Sequence, residues 1–312
     1  MERMLISGGN GFLGSYLAER ALAEGMEVTV VDDFSTSKVL NLPKEVDLVK
    51  KLIEEFHSWK KFDFVVHLAA RPSPEDYTIN PVHTISSNSF GTKVMLDFAR
   101  SSGGTFMYTS SSEVYGEAAI IPTPESYFGN VNPNGIRSCY DEGKRFSEAL
   151  SMAYHREYSL DVRIQRPFNV YGPRIREDGF YGRVIPRFIA QALDNSPLTI
   201  HGNGLQTRSF LYVQDWLDAT WKYLTIDQPE HRILNIGSEE QMTILKLAEY
   251  VRELTNSASN FIYAPGREDD PTRRAADNRL ARRVLGWTPK VQLKKGLTET
   301  INWLKAKRVG EQ

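Results

Sequence analysis

A glycine-rich segment near the start of the chain constrains the fold more than any other feature of the sequence. The apolar residues 4–6 predict a strand, and a helical pattern runs over Phe12–Ala23. Gly8, Gly11 and Gly14 are spaced three residues apart across the junction of this strand and this helix. Glycines at such a junction permit a tight turn and let the backbone at the helix N-terminus approach a pyrophosphate. The segment therefore predicts the first strand, turn and helix of an α/β fold that can bind a dinucleotide.

Short apolar runs alternate with longer helical patterns through the first half of the chain. These runs lie at residues 28–31, 64–68, 105–109 and 162–164. They are nearly continuously apolar, which is typical of parallel strands covered by helices on both faces. The sequence therefore predicts an α/β fold with a Rossmann-type doubly wound parallel sheet and a smaller mixed α/β C-terminal substrate-binding region.

The second half of the chain is more mixed, and the boundary between the halves is soft. Residues 1–168 are interpreted as the cofactor-binding domain, to which some later segments return, and residues 169–312 mainly as the substrate-binding region. The polar stretch 264–277 predicts a loop that can close over a ligand. A strand is predicted at 209–213, and helices at 215–224, 279–285 and 297–305.

Composition bears on the partners and the compartment. Lys and Arg number 38 and Asp and Glu number 39, so the net charge of −1 offers no overall attraction to nucleic acid or an anionic membrane. No apolar run approaches the ~20 residues of a membrane span, and the N-terminus does not resemble a secretory signal. The single cysteine, Cys139, permits no intrachain disulfide. We expect a cytoplasmic protein that binds no nucleic acid, membrane or metal ion.

An acidic residue at the end of the predicted second strand favours one cofactor. Asp32 follows the glycine turn by about 20 residues, where a carboxylate can accept a hydrogen bond from an adenosine ribose hydroxyl. Its negative charge would repel a 2′-phosphate, so NAD is favoured over NADP. Asp33 is an alternative for this role, and either residue can instead be an ordinary solvated acid.

Tyr140 and Lys144 stand four residues apart, so on a helix their side chains share one face. A nearby ammonium and a positive nicotinamide ring both favour phenolate, and we expect the pKa of Tyr140 to fall below its usual value of about 10. Such a tyrosine can take a proton from a sugar hydroxyl while hydride leaves to NAD. The alternative is an ordinary surface pair. Residues 109–116 favour catalysis, because they begin at a strand's carboxyl end, where parallel sheets bind ligands.

Together these motifs resemble the extended short-chain dehydrogenase/reductase family, also called the NAD-dependent epimerase/dehydratase family, along nearly the whole chain. Within it they most resemble the UDP-glucuronate decarboxylases, or UDP-xylose synthases. The run RSCYDEGKR at 137–145 is far more specific than Tyr140 and Lys144 alone. Further segments carry the resemblance at 71–77, 80–81, 111–116, 129–133, 206–210 and 269–274.

The resemblance implies roles by position. Tyr140 matches the catalytic base, Lys144 its partner and Ser111 the usual Ser/Thr of the triad. Glu113 matches a glutamate implicated near the sugar carboxylate and in protonation after carbon dioxide leaves, and Tyr77 a tyrosine of the substrate pocket. Positions that hold the nucleotide diphosphate are matched by Asn169, Arg183, Arg208 and Arg274. The predicted cofactor-binding residues are Gly8, Gly11, Phe12, Leu13, Gly14, Asp32, Asp33, Ser35, Leu68, Ala69, Ala70, Asn88, Tyr140 and Lys144.

The implied reaction converts a UDP-sugar, UDP-glucuronate, to UDP-xylose and carbon dioxide through a 4-keto intermediate, with NAD regenerated. The main alternative is a UDP-sugar 4-epimerase acting on UDP-glucose/UDP-galactose or UDP-glucuronate, which shares the first oxidation. A 4,6-dehydratase usually pairs an aspartate with the glutamate, and position 112 here is Ser. An alternative of a different class is a non-catalytic NAD-sensing protein, which would not need Tyr140, Lys144 and Ser111 together.

Some positions depart from the pattern of the family. Leu52 stands where an aspartate is expected near the adenine, and Arg71 and Pro72 where a small residue and proline are usual. Further departures occur at 134–136 and 275–276 and in the segment 175–181, which is longer than typical.

Two helical patterns bear on the oligomeric state. Residues 81–100 and 140–158 can pair across a two-fold axis, as in the dimers of the family, and we expect a homodimer. Their apolar positions are equally consistent with packing inside one chain.

Overall fold

Seven parallel strands form the central sheet of the computed structural model, which describes residues 1–37, 39–177 and 182–310. The strands are β1 (Arg3–Ser7), β2 (Glu27–Asp32), β3 (Asp47–Lys50), β4 (Phe64–His67), β5 (Thr105–Thr109), β6 (Val162–Pro167), β7 (Val170–Tyr171), β8 (Leu198–His201), β9 (Thr207–Ser209), β10 (Leu211–Tyr212), β11 (Ile233–Ile236), β12 (Gln241–Thr243), β13 (Phe261–Ala264) and β14 (Arg273–Arg274). The helices are α1 (Phe12–Ala23), α2 (Pro74–Ile79), α3 (Pro81–Ser102), α4 (Ser138–Tyr158), α5 (Val184–Leu193), α6 (Val213–Thr225), α7 (Ile244–Thr255), α8 (Arg279–Leu285) and α9 (Leu293–Gly310), with short 3₁₀ helices at Ile53–Glu55 and Ser112–Tyr115.

The strand order in this sheet is β3-β2-β1-β4-β5-β6-β11. Ile6 of β1 pairs with Val30 of β2 on one side and with Val66 of β4 on the other, both in parallel register. The chain therefore reverses its direction of winding between β1 and β4, and ligands bind at such a point in open α/β sheets. This arrangement confirms the predicted Rossmann-type doubly wound sheet.

The side chains of β1 alternate between two cores, one on each face of the sheet. Met4 and Ile6 pack in the core that includes Leu17 of α1, whereas Leu5 packs in the core that includes Met95 of α3. All five are fully buried. Burial of one such side chain contributes roughly 1.5–3 kcal/mol. Because helices cover both faces, the strand is apolar at successive positions rather than at alternate ones.

The second half of the chain contributes one strand to the central sheet and builds three small sheets. Strand β11 joins the sheet beside β6 in parallel register. The small sheets pair β10 with β7, β13 with β8, and β9 with both β12 and β14. Across the described residues, none of the helices combines enough length with enough apolar character to cross a bilayer.

The structure corrects two sequence predictions and confirms others. The strand predicted at 209–213 is divided at Phe210, because β9 and β10 pair with different neighbours. The loop predicted at 264–277 contains β14, which pairs with β9. The helices predicted at 12–23 and 279–285 have the expected bounds, and those at 215–224 and 297–305 form parts of the longer α6 and α9.

Candidate active site

A cavity of about 380 Å³ opens at the carboxyl ends of β1, β2, β4 and β5. Every residue predicted to bind the cofactor, to act in catalysis or to bind the substrate lines this cavity, except Asn88. Asn88 is buried on α3, where its amide donates to the Thr84 carbonyl at 2.9 Å, and it lies against Gly143 of α4. The structure therefore brings the predicted residues into one site and places Asn88 between two helices.

The glycine turn forms a cradle in which added side-chain atoms would not fit. Gly8 has a φ of +71°, and a Cβ there would lie 2.7 Å from the backbone of Ala69. A Cβ on Gly14 would lie 2.4 Å from the carbonyl oxygen of Gly8. The backbone therefore runs closely past the N-terminus of α1, where amide groups can receive a phosphate. This cradle fits the pyrophosphate of a dinucleotide.

Both acidic candidates for ribose binding line the cavity at the end of β2. The carboxylate of Asp32 accepts hydrogen bonds from the amides of Asn10 at 2.9 Å and Phe34 at 2.8 Å. Burial raises the pKa of Asp32, although these amides oppose the rise. Asp33 accepts from the amide and hydroxyl of Ser35 at 2.9 and 2.6 Å. Asp32 therefore also organises the turn, and Asp33 the loop that follows it.

Two arginines after β7 fasten a strap, residues 172–177, beside the cavity. Arg174 donates to Glu19 of α1 at 2.7 Å. Arg176 donates to Asp76 of α2 at 2.7 Å and to the Thr36 carbonyl at 3.1 Å. The sequence did not indicate that these arginines belong to the site, because their partners lie 100 to 155 positions away along the chain. Residues 178–181 of the longer segment noted in the sequence lie outside the described residues.

Tyr140, Lys144 and Ser111 come together in the cavity. The Nζ atom of Lys144 lies 5.6 Å from the centre of the Tyr140 ring and donates to the Thr109 carbonyl at 2.9 Å. Ser111 follows β5, and its hydroxyl is within hydrogen-bonding reach of Tyr140. The rings of Tyr77 and Tyr140 stack with their centres 5.7 Å apart. A phenol, a hydroxyl and an amine thus line one part of the cavity, and these are group types that can transfer or stabilise a proton from a substrate hydroxyl.

The ionisation of this group differs from the expectation. Burial raises the pKa of Tyr140, and the Ser111 hydroxyl opposes the rise only in part. Burial also lowers the pKa of Lys144 to about 7, although the charge of Glu148 acts in the opposite direction. The expected fall in the pKa of Tyr140 is therefore wrong for the protein by itself, because loss of water disfavours phenolate and ammonium alike. A positive charge on a bound ligand would lower the pKa of Tyr140, which Lys144 alone does not do.

Glu113 lies between two guanidinium groups. Arg137 donates to one of its carboxylate oxygens and Arg274 to the other. Burial would raise the pKa of Glu113, but the two positive charges outweigh burial and lower the pKa to about 2. Glu113 is therefore ionised at neutral pH. The sequence placed Arg274 with the nucleotide diphosphate, whereas the structure places its guanidinium on Glu113 and, at 3.5 Å, near the Gly116 carbonyl.

Further arginines line the part of the cavity that residues 182–310 contribute. Arg187 is buried on α5, one helical turn after Arg183, and donates to the Thr199 carbonyl at 3.1 Å. Burial lowers the pKa of Arg187 to about 9, and the charge of Arg267 adds to this effect. Such a concentration of positive charge is suited to a diphosphate. Arg187 and Arg267 were not among the residues predicted from the sequence, although the four-residue spacing of Arg187 from Arg183 was a usable signal.

The loop at 264–277 is attached to the rest of the site at several points. Asp270 accepts from Arg208 at 3.0 Å. The amide of Thr272 donates to Glu117 at 2.9 Å. Strand β14 of this loop pairs with β9. Asn169, which has a φ of +41°, donates to the carbonyl of Ser209 in β9 at 2.8 Å. The predicted loop therefore lies against the cavity through polar contacts.

The site and fold define a family of nucleotide-dependent enzymes, and sequence comparison identifies it. A model of the "NAD dependent epimerase/dehydratase family" matches residues 4–237. The chain belongs to this family, which confirms the predicted family and the cofactor NAD. Relatives from Arabidopsis thaliana include UDP-glucuronic acid decarboxylase 5, 44% identical over 95% of this chain and 87% of its own length, and UDP-glucuronic acid decarboxylase 2, 41% identical over 99% and 70%. UDP-glucuronic acid decarboxylase 1 of Danio rerio is 39% identical over 97% of this chain and 72% of its own length.

Solved structures with the same fold include other nucleotide-sugar proteins. UDP-glucose 4-epimerase of Thermotoga maritima, solved with UDP-glucose, has a TM-score of 0.90 at 29% identity and covers 98% of this chain and 99% of its own. MoeE5, solved in complex with UDP-glucuronic acid and NAD, has a TM-score of 0.86 at 26% identity over 98% and 99%. The fold is thus similar to proteins that bind a neutral and an acidic UDP-sugar.

Proposed function

We propose that this protein is an NAD-dependent UDP-glucuronate decarboxylase that forms UDP-xylose and carbon dioxide. The observation that carries the proposal is the half-buried Glu113 carboxylate, held by two arginines in the same cavity as Tyr140 and Ser111. The similarity to UDP-glucuronic acid decarboxylases over nearly the whole chain supports the same assignment.

We assign the cofactor mainly to residues 1–168 and the UDP-sugar mainly to residues 169–312. The glycine cradle and the acids at the end of β2 would hold NAD, and the arginines of the other half would hold the diphosphate. When bound, NAD supplies a hydride acceptor that later returns the hydride, and its oxidised ring carries a positive charge. The chain itself supplies binding, orientation and proton transfer.

Tyr140 acts on the C4 hydroxyl of the sugar. Its phenolate takes the hydroxyl proton as the C4–H bond breaks, and the C4 carbon becomes a ketone. Lys144 is held by the Thr109 carbonyl and supplies positive charge near the phenolate. Ser111 donates a hydrogen bond to the C4 oxygen, on which negative charge develops in the next step. On reduction of the ketone, Tyr140 returns the proton.

Loss of carbon dioxide follows from the C4 ketone. The bond between C5 and the carboxylate breaks, and its electron pair forms an enolate whose charge lies on the C4 oxygen. A proton must then reach C5. Glu113 is placed to direct this proton, and Arg137 and Arg274 keep its carboxylate ionised and oriented. The C5 proton therefore comes from a donor that Glu113 orders, such as water.

A UDP-sugar 4-epimerase is the second candidate, favoured by the TM-score of 0.90 to UDP-glucose 4-epimerase. Both reactions begin with oxidation at C4. In an epimerase the keto sugar must rotate in the site so that hydride returns to its other face. In a decarboxylase the carboxylate must leave as carbon dioxide. The ionised Glu113 beside the redox residues favours decarboxylation.

Incubation of the purified protein with UDP-glucuronate and NAD tests the assignment. We expect release of carbon dioxide and formation of UDP-xylose, with NAD unchanged in amount. Formation of UDP-galacturonate, or interconversion of neutral hexoses without reaction of the uronate, would show an epimerase. Binding of NAD without conversion of any sugar would show a sensing protein.

Substitution of Tyr140 by Phe tests the base in the same assay. Tyr140→Phe keeps the ring that stacks on Tyr77 but removes the hydroxyl. We expect turnover to fall by at least about 10²-fold while the protein stays folded, since general acid–base catalysis contributes about 10²–10⁴-fold. Retention of activity would exclude Tyr140 as the base.

A homodimer through α3 and α4 is also proposed. These helices leave Val82, Phe90 and Phe146 exposed by 75%, 65% and 51%. The two helices pack against each other, and exposed apolar side chains on such a pair favour a protein interface. Sedimentation should give twice the chain mass, and Phe90→Glu should give the monomer; a monomeric wild type would contradict the proposal.

We further propose that the protein acts in the cytoplasm. Its single cysteine, Cys139, is a buried free thiol, which suits a reducing compartment. A fluorescent fusion found in an exported fraction would contradict this placement.

A further inference from the structure

Arg137 is the last residue before α4, and its side chain forms part of the cavity wall. Its guanidinium carbon lies 5.8 Å from the centre of the Tyr77 ring, and that ring stacks on Tyr140. In the sequence, Arg137 was only the first residue of the RSCYDEGKR motif. Because Tyr140 must contact the C4 hydroxyl, the sugar atoms next to C4 lie close to this wall. Of the groups on the carbons next to C4, the hydroxyl on C3 is neutral, and only the carboxylate on C5 carries a charge that a guanidinium can pair.

Most of the hydrogen-bonding capacity of Arg137 is unused within the described residues. A guanidinium has five N–H donors. One nitrogen donates to Glu113, another is 3.6 Å from Asp270, and Nε is buried without an acceptor, 3.9 Å from Asp141. Buried donors of this kind usually have partners. An acceptor supplied by a ligand would satisfy them.

The charges around Arg137 leave room for one further anion. Three guanidiniums, of Arg137, Arg208 and Arg274, form ion pairs with three acidic residues, Glu113, Asp270 and Asp141. Burial and the charge of Glu113 raise the pKa of Asp141 to about 8, so at neutral pH it is mostly uncharged. Three positive charges then face two negative ones. The single C5 carboxylate of a uronate would balance this charge, whereas the neutral C5 hydroxymethyl group of a hexose would not.

The other two arginines have more of their donors occupied. Arg274 donates to Glu113 and approaches the Gly116 carbonyl, and Arg208 donates to the Thr207 carbonyl and to Asp270. Arg137 is therefore the guanidinium of this group with the most spare capacity. Its forked geometry matches a carboxylate in a way that a neutral sugar cannot use.

We infer that Arg137 binds the C5 carboxylate of the sugar and gives the enzyme its preference for a UDP-uronate over a neutral UDP-hexose. The inference rests on the proposed function, because it concerns the substrate of the same site. Arg137 acts on binding, and its ion pair orients the carboxylate before the bond to C5 breaks.

Calorimetric titration of NAD-loaded protein with UDP-glucuronate, UDP-glucose and UDP tests this assignment. Arg137→Met should weaken UDP-glucuronate about 10- to 100-fold, as expected for loss of a hydrogen bond between charged groups. The affinities of Arg137→Met for UDP-glucose and for UDP should differ from those of the wild type by less than about threefold. Arg273→Met, which removes an exposed arginine, should alter none of the affinities. Equal weakening of all three ligands, or of none, would overturn the inference.

Two further variants keep the test decisive if Arg137→Met does not fold. Arg137→Lys keeps the positive charge but lacks the forked guanidinium. It should keep most of the preference for UDP-glucuronate over UDP-glucose that Arg137→Met loses. Glu113→Gln removes the competing anion beside Arg137 and should tighten UDP-glucuronate relative to UDP-glucose. A relative loss of uronate affinity in Glu113→Gln would overturn the inference. Failure of the wild type to release carbon dioxide would instead disprove the proposed function, while the binding results would still decide the role of Arg137.

Discussion

The closest backbone contact in the cofactor cradle is at Gly14, and Gly14→Ala should disrupt it. A Cβ on this residue would lie 2.4 Å from the Gly8 carbonyl oxygen and 2.6 Å from the Cα of Gly9. Ordinary contacts of a Cβ begin at 3.4 Å. Because the opposing atoms belong to the backbone, no side chain can move aside. The start of α1 and the glycine turn must separate by about 1 Å to relieve the overlap.

The effect on stability and the effect on cofactor binding should differ in size. Overpacking costs roughly 1–3 kcal/mol, and alanine in place of glycine within a helix recovers about 1 kcal/mol. The net loss of stability is therefore about 0–2 kcal/mol. A displacement of about 1 Å in a binding site can reduce function by about 10²-fold. We expect NAD affinity to fall by a factor of this order while the protein still folds.

Fluorescence titration with NAD and thermal unfolding without it measure the two effects. Gly11→Ala is a milder change, because its Cβ would lie 3.2 Å from a single atom, the Gly8 carbonyl oxygen. Gly266→Ala is the control, because the nearest atom lies 4.0 Å away. The loss of NAD affinity should increase from Gly266→Ala to Gly11→Ala to Gly14→Ala. Wild-type affinity in Gly14→Ala, or a larger loss in Gly11→Ala, would refute the steric reasoning.

The remaining predictions concern a buried acid, a buried ion pair and the strap beside the cavity. Burial raises the pKa of Asp141 from 3.8 to about 8. Between these two pH values the folded protein keeps a proton that the unfolded chain releases. The wild type should therefore lose stability as the pH rises through this range, and Asp141→Asn should not, as urea unfolding at several pH values can measure. Arg166→Met leaves the buried Glu148 without the partner that donates at 2.5 Å, and should cost about 3–5 kcal/mol in the same assay. Arg176→Met removes the ion pair with Asp76 and should speed NAD release about two- to fivefold, as measured by stopped-flow exchange.

Each of these predictions has an outcome that would contradict it. Equal pH dependence in wild type and Asp141→Asn would show that this carboxyl ionises normally in the fold. If Arg166→Met costs no more than Arg166→Met combined with Glu148→Gln, the buried charge is not the cause of the loss. Arg273→Met is the control for the strap. If Arg176→Met releases NAD at the same rate as this control, the strap does not slow NAD release.

The glycine turn and the apolar strands were predictable because their causes are local. Three glycines spaced across the junction of a strand and a helix specify a tight turn whatever the rest of the chain does, and α1 has the predicted bounds. Continuous apolar runs indicate strands covered on both faces, and β1 has this environment. Four-residue spacing likewise placed Tyr140 and Lys144 on one face of α4.

Partner exchange between strands was not predictable from the local pattern. Residues 209–213 were predicted to form a single strand. Ser209 instead ends β9, which pairs with β12 and β14, whereas residues 211–212 form β10, which pairs with β7. Side-chain alternation depends on burial and not on which strand lies alongside, so the break at Phe210 has no local signature. The same reason explains why β14 was missed within a polar stretch.

The sequence by itself determined which chemistry the site contains: glycines for a dinucleotide, a tyrosine with a lysine and a serine, and a glutamate. Only the tertiary structure decided how these groups ionise and pair. Arg274 meets Glu113 across 161 positions, and burial sets the pKa of Tyr140 in the direction opposite to the one that its spacing from Lys144 suggested. The physical reason is that residue type and spacing specify local geometry, whereas solvent exclusion and charge pairing depend on all the elements that enclose the site.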